Sequence, residues 1–247
     1  LRIIAKTKGK DFYEGKLASA ICDNAKQHNA ALTIEDMATH TISWCDTISK
    51  SFDDFELHEI PPNTQGIAAL IAIGILSNTR IRDLGVDDPL ALHLQIEAMK
   101  LALSDTESYV ADGNFMKDVT THDLLDDAYL AKRSELIDER KAQNFNAGAP
   151  KNGGTVYLTT ADSSGKMVSF IQSNYAGFGS GVVIPGTGIS MQNRGAGFSL
   201  DPTSPNRVGP SKRPFHTIIP GFLMGRDGPL MSFGMMGGPM QAQHFWR

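Results

Sequence analysis

Residues 153–165 read GGTVYLTTADSSG, and this stretch decides how the whole chain is interpreted. Residues 155–172 have the composition of a β-hairpin, with a strand on either side of a turn at 161–165. Residues 147–154, directly upstream, are polar and contain a proline and two adjacent glycines, which predicts an exposed linker. Thr155 is therefore predicted to open a strand immediately after a linker.

The chain differs in character on the two sides of this junction. Residues 1–147 contain 6 glycines and residues 148–247 contain 18. Residues 1–150 hold 15 Lys and Arg against 24 Asp and Glu, a net charge of −9, whereas residues 151–247 hold 8 against 3, a net charge of +5. The first part has the composition of helices and the second that of strands and tight turns. The basic balance of the second part suits an anionic small substrate.

The spacing of apolar residues predicts a helical layer followed by an antiparallel sheet, which is an α+β arrangement. The predicted helices are 17–28, a short helix capped by Thr33, an apolar helix at 64–76 with Thr64 as its cap, a helix that begins at Asp88-Pro89, and 124–140 with Leu136 and Ile137 on its inner side. The predicted strands are 55–60, 155–160, 167–172, 217–224 and 230–233, with a turn at 225–228.

Composition and motifs exclude several classes of protein. Hydrophobic residues make up 41% and charged residues 20% of the chain, and no apolar run approaches the ~20 residues of a membrane helix. The basic residues are scattered without interleaved aromatics, which argues against a nucleic-acid partner. The chain has no P-loop, no G-x-G-x-x-G and no G-x-S-x-G, and its histidines lack metal-ligand spacing. We therefore expect no cofactor, no metal, and neither a membrane nor a nucleic-acid partner.

The two cysteines, Cys22 and Cys45, do not make a disulfide framework, which favours a reducing compartment. A cytoplasmic location is therefore expected over a periplasmic or secreted one. No signal-peptide pattern opens the sequence, but the chain starts at Leu1 and ends at Arg247 without a terminal signature. We expect both ends to be trimmed.

The junction at Gly154-Thr155 permits one specific chemistry. A threonine hydroxyl needs a neighbouring base to act as a nucleophile, and cleavage before Thr155 would provide one. The freed α-amine has an ordinary pKa of about 7.7–8.0, so it can take the hydroxyl proton near neutral pH. Gly154 would allow the strained turn in which Thr155 Oγ1 attacks the preceding carbonyl. Taken alone, the same residues also fit a loop that simply enters a strand.

Several stretches resemble the γ-glutamyltransferases, a family of N-terminal-nucleophile hydrolases. Residues 155–165 resemble the start of the family's small subunit, where a threonine opens a strand and an Asp-x-x-Gly turn follows. The further similar stretches are 173–181 (before and through Phe-Gly-Ser-Gly), 189–194 (Gly-Ile-x-Leu-Asn-Asn in the family), 235–239 (the Gly-Gly pair), and, from the large subunit, 61–66 and 12–15. Together they cover nearly the whole chain in order.

The resemblance implies a four-layer αββα sandwich, with residues 1–150 from the large-subunit side, 151–154 as a processing linker and 155–247 from the small subunit. The residue roles that it implies are Thr155 as nucleophile, Gly154 before the scissile bond, Gly237 and Gly238 as oxyanion donors, and Ser173 and Asn174 as positioning groups for nucleophile or substrate. The precursor would be a zymogen that cleaves itself into a large/small-subunit heterodimer, without metal or cofactor. The spacing from Asn174 to the following glycines is one residue longer than in the family.

The departures from the family pattern concern the substrate. Gly197 stands where the family has an acid that holds the substrate's α-amine, and Arg194 takes the place of a glutamine. Phe215-His216 matches a serine pair that binds the α-carboxylate. Loss of the acid and gain of Arg194 favour an acyl group that carries a carboxylate without a nearby ammonium, with Arg194 and His216 as substrate-binding residues. The pattern is similar to the γ-glutamyltransferase-like amidohydrolases and acylases, including oxamate amidohydrolase-like members.

The function that follows is a self-processing amidohydrolase or acyltransferase acting on γ-glutamyl or related carboxylate-bearing amides. Its reaction would pass through a Thr155 ester to water or an amine acceptor. One alternative is a true γ-glutamyltransferase that degrades glutathione and binds the substrate amine with other residues. The other is an inactive family member that serves as a binding protein, which would show no cleavage before Thr155.

Overall fold

A computed structural model of the chain describes residues 1–145 and 154–245. The predicted linker at 147–154 lies outside the described residues except for Gly154. The chain forms two compact units: one comprises Leu1–Trp44 and Phe178–Gln192, the other Cys45–Gly177 and Asn193–Arg247. Each unit draws on both sides of the Gly154–Thr155 junction. The division of the sequence at 150 and 154 into subunit portions stays a prediction.

The helices are α1 (Arg2–Lys6), α2 (Lys10–Glu14), α3 (Lys16–Gln27), α4 (Ile34–Ala38), α5 (Gly66–Leu76), α6 (Pro89–Tyr109), α7 (Thr121–Leu124), α8 (Asp127–Ser134) and α9 (Gln241–His244). The strands are β1 (Ile48–Phe52), β2 (Phe55–Glu59), β3 (Gly154–Ala161), β4 (Met167–Tyr175), β5 (Val183–Ile184), β6 (Ile189–Ser190), β7 (Gly221–Gly225) and β8 (Gly228–Phe233). Short 3-10 turns occur at Ile81–Asp83, Gly113–Phe115, Arg194–Gly197 and Gly238–Met240. The fold class is α+β, as predicted.

The smaller unit contains α1 to α4 and the β5–β6 pair. Helix α3 buries Ala18, Ile21 and Ala25, which are spaced three or four residues apart and so share one face. Thr33 caps α4 through a capping box, in which its hydroxyl accepts from Asp36 N while the Asp36 carboxylate accepts from Thr33 N at 2.7 Å. The predictions of α3 and of the Thr33 cap are confirmed.

The larger unit is built on an antiparallel sheet with the strand order β1-β2-β7-β8. Because β2 pairs with β7, a segment upstream of Thr155 lies beside a segment downstream of it, with Leu57 opposite Leu223. The strands predicted at 55–60 and 230–233 are confirmed. The strand predicted at 217–224 is wrong in its first half, since β7 begins only at Gly221, after Pro220, which has no N–H to donate to a ladder.

Helix α5 is buried along its whole length, from Gly66 to Leu76. It packs against β1 and β2 of the sheet and against α6, α8 and α9. The prediction of an apolar helix that runs through Leu76 is therefore confirmed. Thr64 is not its cap, however: the N-cap residue is Gln65, and the Thr64 hydroxyl donates to Ile60 O at 3.0 Å.

Helix α6 starts as predicted, with Pro89 at its first turn and the Asp88 carboxylate accepting from Leu90 N at 2.8 Å. The helix predicted at 124–140 is wrong in its bounds. The chain leaves helical conformation after α7, and α8 restarts where Asp126 accepts from Tyr129 N at 2.9 Å. Leu136 lies outside α8 and is 46% exposed, whereas Ile137 packs on the core as predicted.

The β3–β4 hairpin is confirmed, with Leu158 opposite Phe170 and a turn at 162–166. It lies against β8, where Ser169 Oγ donates to Phe233 O at 3.2 Å and Thr159 contacts Ser232 through their hydroxyls. No helix among residues 1–145 and 154–245 combines the length and apolar character needed to span a membrane.

Candidate active site

Thr155 and Ser173 face each other across the β3–β4 hairpin. Strand β3 begins at Gly154, so Thr155 stands at its second position, and it pairs with Ser173 of β4. The Thr155 hydroxyl donates to Ser173 Oγ at 3.1 Å, and the same Ser173 oxygen accepts from Tyr175 N at 2.9 Å. The hairpin therefore brings the predicted nucleophile and one predicted positioning residue into contact.

A β-bulge lies directly beside Thr155. Gly154 pairs with Tyr175 while Thr155 pairs with Ser173, so Asn174 is the extra residue on β4. Tyr175 adopts a φ of 76°, in the left-handed region that residues with a Cβ rarely occupy. The Asn174 carbonyl accepts from Asn193 N at 3.2 Å, which ties the bulge to the segment around Arg194. Bulges and unusual φ values concentrate at functional sites, where they redirect side chains.

Arg194 joins this cluster from the 3-10 turn at Arg194–Gly197. Its guanidinium carbon lies 5.0 Å from the centre of the Tyr175 ring, and Nη1 donates to Thr217 Oγ1 at 3.1 Å. Burial lowers the pKa of Arg194, and the neighbouring Tyr175 raises it. An arginine remains protonated under such a shift, so the site holds a half-buried positive charge.

His216 is held by its backbone between two residues that precede α5. His216 N donates to Asn63 O at 3.1 Å, and His216 O accepts from Gln65 N at 3.0 Å. Burial lowers the pKa of the imidazole to about 4, with the positive charges of Arg194 and Arg213 acting in the same direction. His216 is therefore neutral at pH 7, and any contact that it makes with a carboxylate uses a neutral N–H.

Gly237 and Gly238 form a turn that only glycine adopts readily. Their φ values are 150° and 57°. A Cβ on Gly237 would meet nothing nearer than Met240 Cβ at 3.7 Å, so backbone conformation and not crowding requires glycine there. Met240 N donates to Gly237 O at 3.2 Å, which closes the turn. Within the described residues, Thr155 makes no hydrogen bond to either glycine.

Gln65 and Thr217 connect the two ends of the site. The Gln65 amide nitrogen donates to both Thr217 O and Gly238 O, each at 2.9 Å, while Thr217 Oγ1 accepts from Arg194. Gln65 is only 1% exposed. Sequence reasoning missed both residues. For Gln65 a signal was present, since a polar residue directly before a wholly apolar helix is placed to meet buried backbone groups.

A cavity of about 400 Å³ lies next to this network. Gln65, Pro239 and Met240 border it on the side of the Gly238 turn, and Gly197 and Phe215 on another. Its lining is mostly apolar, with side chains from α6 completing the wall. A lining of this kind accommodates an apolar group of a small molecule.

The backbone at Gly197 leaves no room for a side chain. A Cβ built there would lie 2.2 Å from Phe215 O, far inside contact distance. Asn206 holds the same region, since Nδ2 donates to Gly197 O at 2.7 Å and Oδ1 accepts from Phe215 N at 2.9 Å. The local backbone thus leaves no space for an acidic side chain at position 197. In the part of the chain that the structure describes, no group of three or more His, Cys, Asp or Glu is placed to hold a metal ion.

The sequence as a whole matches the gamma-glutamyltranspeptidase family model over residues 1–246. The chain belongs to this family, and its fold is that of the N-terminal-nucleophile hydrolases, as the resemblance implied.

Similar proteins place the chain on the amidohydrolase and acylase side of the family. It is 35% identical over 243 residues to the oxamate amidohydrolase proenzyme of Klebsiella pneumoniae, covering 98% of this chain and 45% of that protein. It is 33% identical over 243 residues to the glutathione hydrolase-like YwrD proenzyme of Bacillus subtilis, covering 98% of this chain and 46% of that protein. The chain therefore spans about half the length of these relatives.

A solved structure supports the same relationship. The crystal structure of cephalosporin acylase from Bacillus halodurans matches with a TM-score of 0.90 and 47% sequence identity, over 99% of this chain and 44% of that chain. At this level of identity and overlap, the two proteins share the fold throughout the part that the present chain represents.

Proposed function

We propose that this chain carries the catalytic centre of a self-processing amidohydrolase or acyltransferase, with Thr155 as its nucleophile. The observation that carries the proposal is the hydrogen bond of 3.1 Å from Thr155 Oγ1 to Ser173 Oγ, beside a β-bulge and directly after Gly154. The names of the relatives as proenzymes support a precursor that is processed.

In the first reaction, Thr155 Oγ1 attacks the carbonyl carbon of Gly154. The Gly154–Thr155 C–N bond breaks, the nitrogen gains a proton, and an ester joins Gly154 to the threonine oxygen. Water then hydrolyses this ester, which leaves a carboxylate on Gly154 and a free α-amine on Thr155. The Ser173 hydroxyl, as acceptor, holds the Thr155 hydroxyl in one orientation during this step.

In the second reaction, the α-amine of Thr155 takes the hydroxyl proton as the oxygen attacks a substrate amide. The tetrahedral intermediate collapses to a Thr155 ester, and the leaving amine takes the proton. Water, or an amine acceptor, then attacks the ester and releases the acyl group. The N–H groups of Gly237 and Gly238 stabilise the oxyanion in both steps, a role that their positive φ values suit because successive N–H groups can converge on one anion.

The proposed substrate is an amide whose acyl group bears a carboxylate and no neighbouring ammonium. Two observations support this class. Arg194 provides a half-buried guanidinium beside Tyr175 and Thr217, with His216 as a neutral donor nearby. Gly197 cannot carry the acid that would bind an amine, since its side-chain space is closed by Phe215 O. The apolar cavity beside Gly238 takes the uncharged body of the substrate.

The test is intact-mass analysis and N-terminal sequencing of the full-length natural protein, beside its Thr155→Ala variant. Two fragments, one of which begins Thr-Val-Tyr-Leu, are expected from the wild type and a single intact chain from the variant. A wild-type chain that stays intact and turns over no amide would overturn the proposal in favour of a binding protein. Turnover of γ-glutamyl-p-nitroanilide in preference to glutaryl-p-nitroanilide would overturn the substrate class and point to a true γ-glutamyltransferase.

A further inference from the structure

Gln65 is the one side chain that bonds to both Thr217 and the Gly238 turn among the residues that the structure describes. Its amide nitrogen donates one hydrogen to Thr217 O and the other to Gly238 O, each at 2.9 Å. Both partners are carbonyl oxygens, which only accept hydrogen bonds, so the orientation of the amide group is determined. Gln65 is 1% exposed, so both of these hydrogen bonds are shielded from water. Gly238 O accepts a second bond from Gln241 N, and Gln65 therefore supplies one of two bonds that hold this carbonyl.

The position of Gly238 is defined from both directions along the chain. The peptide before it is held at Gly237 O, which accepts from Met240 N at 3.2 Å. The peptide after it is held at Gly238 O, which accepts from both Gln65 Nε2 and Gln241 N. A trans peptide is planar, so holding a carbonyl also orients the N–H on the other side of the same plane. The Gly238 N–H therefore has little freedom to rotate away.

Gln65 itself is firmly placed. Its backbone N donates to His216 O at 3.0 Å, and it is the N-cap residue of α5, whose every residue is buried. The Gln65 side chain therefore connects the Gly237-Gly238 turn to a helix of the hydrophobic core. Gln65 precedes Thr155 in the sequence, whereas Thr217 and Gly238 follow Thr155.

We propose that Gln65 is a positioning residue that keeps the Gly238 N–H aligned for the oxyanion and, after cleavage before Thr155, bridges the two resulting polypeptides. This inference rests on the proposed function. Preorganised donors accelerate acyl transfer because they need not reorient as charge develops. Gln65 should therefore contribute more to the transition state than to substrate binding, and its loss should lower kcat while KM stays nearly constant.

The experiment uses the full-length natural protein with Gln65→Met, which keeps the length of the side chain but removes both donors. The matched control is Gln241→Met, because Gln241 is also fully buried and its side-chain amide has no hydrogen-bond partner among the described residues. This substitution keeps the backbone N–H of residue 241, which donates to Gly238 O. We expect Gln65→Met to lower kcat for a p-nitroanilide substrate about 10- to 100-fold with KM within about twofold. Gln241→Met should keep kcat within about twofold of the wild type.

A second measurement, the affinity for a boronic acid, distinguishes loss of alignment of the Gly238 N–H from a general loosening of the fold. A substrate-like boronic acid forms a tetrahedral adduct with a nucleophilic hydroxyl and places an oxygen where the oxyanion develops. Its affinity should fall in Gln65→Met by the same factor as kcat/KM, whereas the affinity of the reaction product should not change. Equal losses for the boronate and the product, or no loss in either, would overturn the inference.

Gln65→Glu is a second variant, to be used should Gln65→Met fail to fold, and its hydrogen-bond donor can be restored by protonation. A carboxylate cannot donate to the two carbonyls, but its protonated form restores one donor. The ratio of variant to wild-type kcat should rise as the pH is lowered, and a pH-independent ratio would contradict the proposed role. Should both variants fail to fold, a crystal structure of the wild-type boronate adduct decides: the inference falls if Gln65 Nε2 has left Gly238 O. A wild type without processing or turnover would instead refute the proposed function itself.

Discussion

Thr155 Oγ1 lies 3.1 Å from Ser173 Oγ, directly across the β3–β4 pair, and Ser173 in turn accepts from Tyr175 N. Ser173 Oγ therefore already accepts one fixed backbone hydrogen, and the Thr155 hydroxyl is directed to the same oxygen. This arrangement orients the proposed nucleophile before any substrate arrives. It also makes the contribution of Ser173 measurable apart from that of Thr155.

Ser173→Ala should slow both self-cleavage and turnover, because the Thr155 hydroxyl loses the acceptor that orients it. We expect about a 10- to 100-fold decrease in kcat/KM, a size typical of lost alignment at a reacting group. A time course of intact mass measures the cleavage, and p-nitroanilide release measures the turnover. Ser173→Thr retains the hydroxyl and should recover most of both rates, while Ser163→Ala, in the hairpin turn, should change neither. Equal rates in Ser173→Ala and wild type would contradict the assigned role.

Gly237→Ala should reduce kcat by about 100-fold or more, because an alanine cannot adopt a φ of 150° without strain and the turn must shift. The space at this position is open, so the loss reflects conformation and not a clash. Steady-state kinetics on the processed enzyme measure the effect. The control is Gly209→Ala, where a Cβ meets nothing within 4 Å and φ lies outside the left-handed region. A Gly237→Ala enzyme with normal kcat would exclude Gly237 from the oxyanion site.

Gly197→Asp should not convert the enzyme into one that prefers γ-glutamyl substrates, although it restores the acid of the related γ-glutamyltransferases. Its Cβ would lie 2.2 Å from Phe215 O, so the turn must move before the carboxylate can reach any ligand. We expect a lower melting temperature and reduced turnover of all substrates. Gly195→Asp, on the same turn but with nothing within 4 Å of the new Cβ, should melt close to the wild type. A stable Gly197→Asp protein that gains γ-glutamyl turnover would show that the backbone adapts.

Glu59 should make the free energy of unfolding depend on pH. Both of its carboxyl oxygens lack a hydrogen-bond partner within the described residues, and burial raises its pKa from 4.5 to about 8. The folded protein then retains a proton up to about pH 8 that the unfolded chain has already lost above about pH 4.5. Because the unfolded state binds fewer protons in this range, stability falls as the pH rises through it.

The window from pH 6.5 to 8 isolates this effect. The lowered pKa of His216 makes stability rise with pH, but only below the ordinary value of 6.5. In that range the unfolded chain binds a proton that the folded histidine does not bind. Between pH 6.5 and 8 the free energy of unfolding of the wild type should fall by up to about 2 kcal/mol, whereas that of Glu59→Gln should not. Urea denaturation at each pH measures both. Glu135→Gln, at an exposed position, should parallel the wild type. Parallel curves for Glu59→Gln and wild type would mean that Glu59 is paired in solution.

Local signals in the sequence predicted several elements well. The β3–β4 hairpin, the strand at 55–59, α3 and the start of α6 all depend on periodicity, caps and turn residues that act over a few positions. The errors have two causes, one local and one tertiary. The prediction of one helix at 124–140 failed because Asp126 caps a new helix, and the strand predicted from 217 failed because residues 216 and 217 bond to 63 and 65.

The site shows the same division. Thr155 and the glycine pair were predicted from motifs, and Ser173 from its place in a resembling stretch; their roles stay predictions. Gln65, Thr217 and Tyr175 were not, because their contribution depends on contacts across more than a hundred residues, as between Gln65 and Gly238, or on a bulge that sequence alone does not locate. Buried Glu59 was also missed, although strand alternation places it on the same face as Leu57, which packs on the core.

The amino-acid sequence alone was enough to predict that Thr155 opens a strand, and it shows a glycine pair at 237–238 and no acid at position 197. These are properties of residue type and local spacing. Three relationships became visible only in the folded chain: Ser173 contacts Thr155, Phe215 O closes the space at Gly197, and Gln65 bonds to the Gly238 turn. The reason is physical: each of these depends on which backbone groups packing brings within about 3 Å, and hydrogen bonds and close contacts lose their effect within a few tenths of an ångström of that distance.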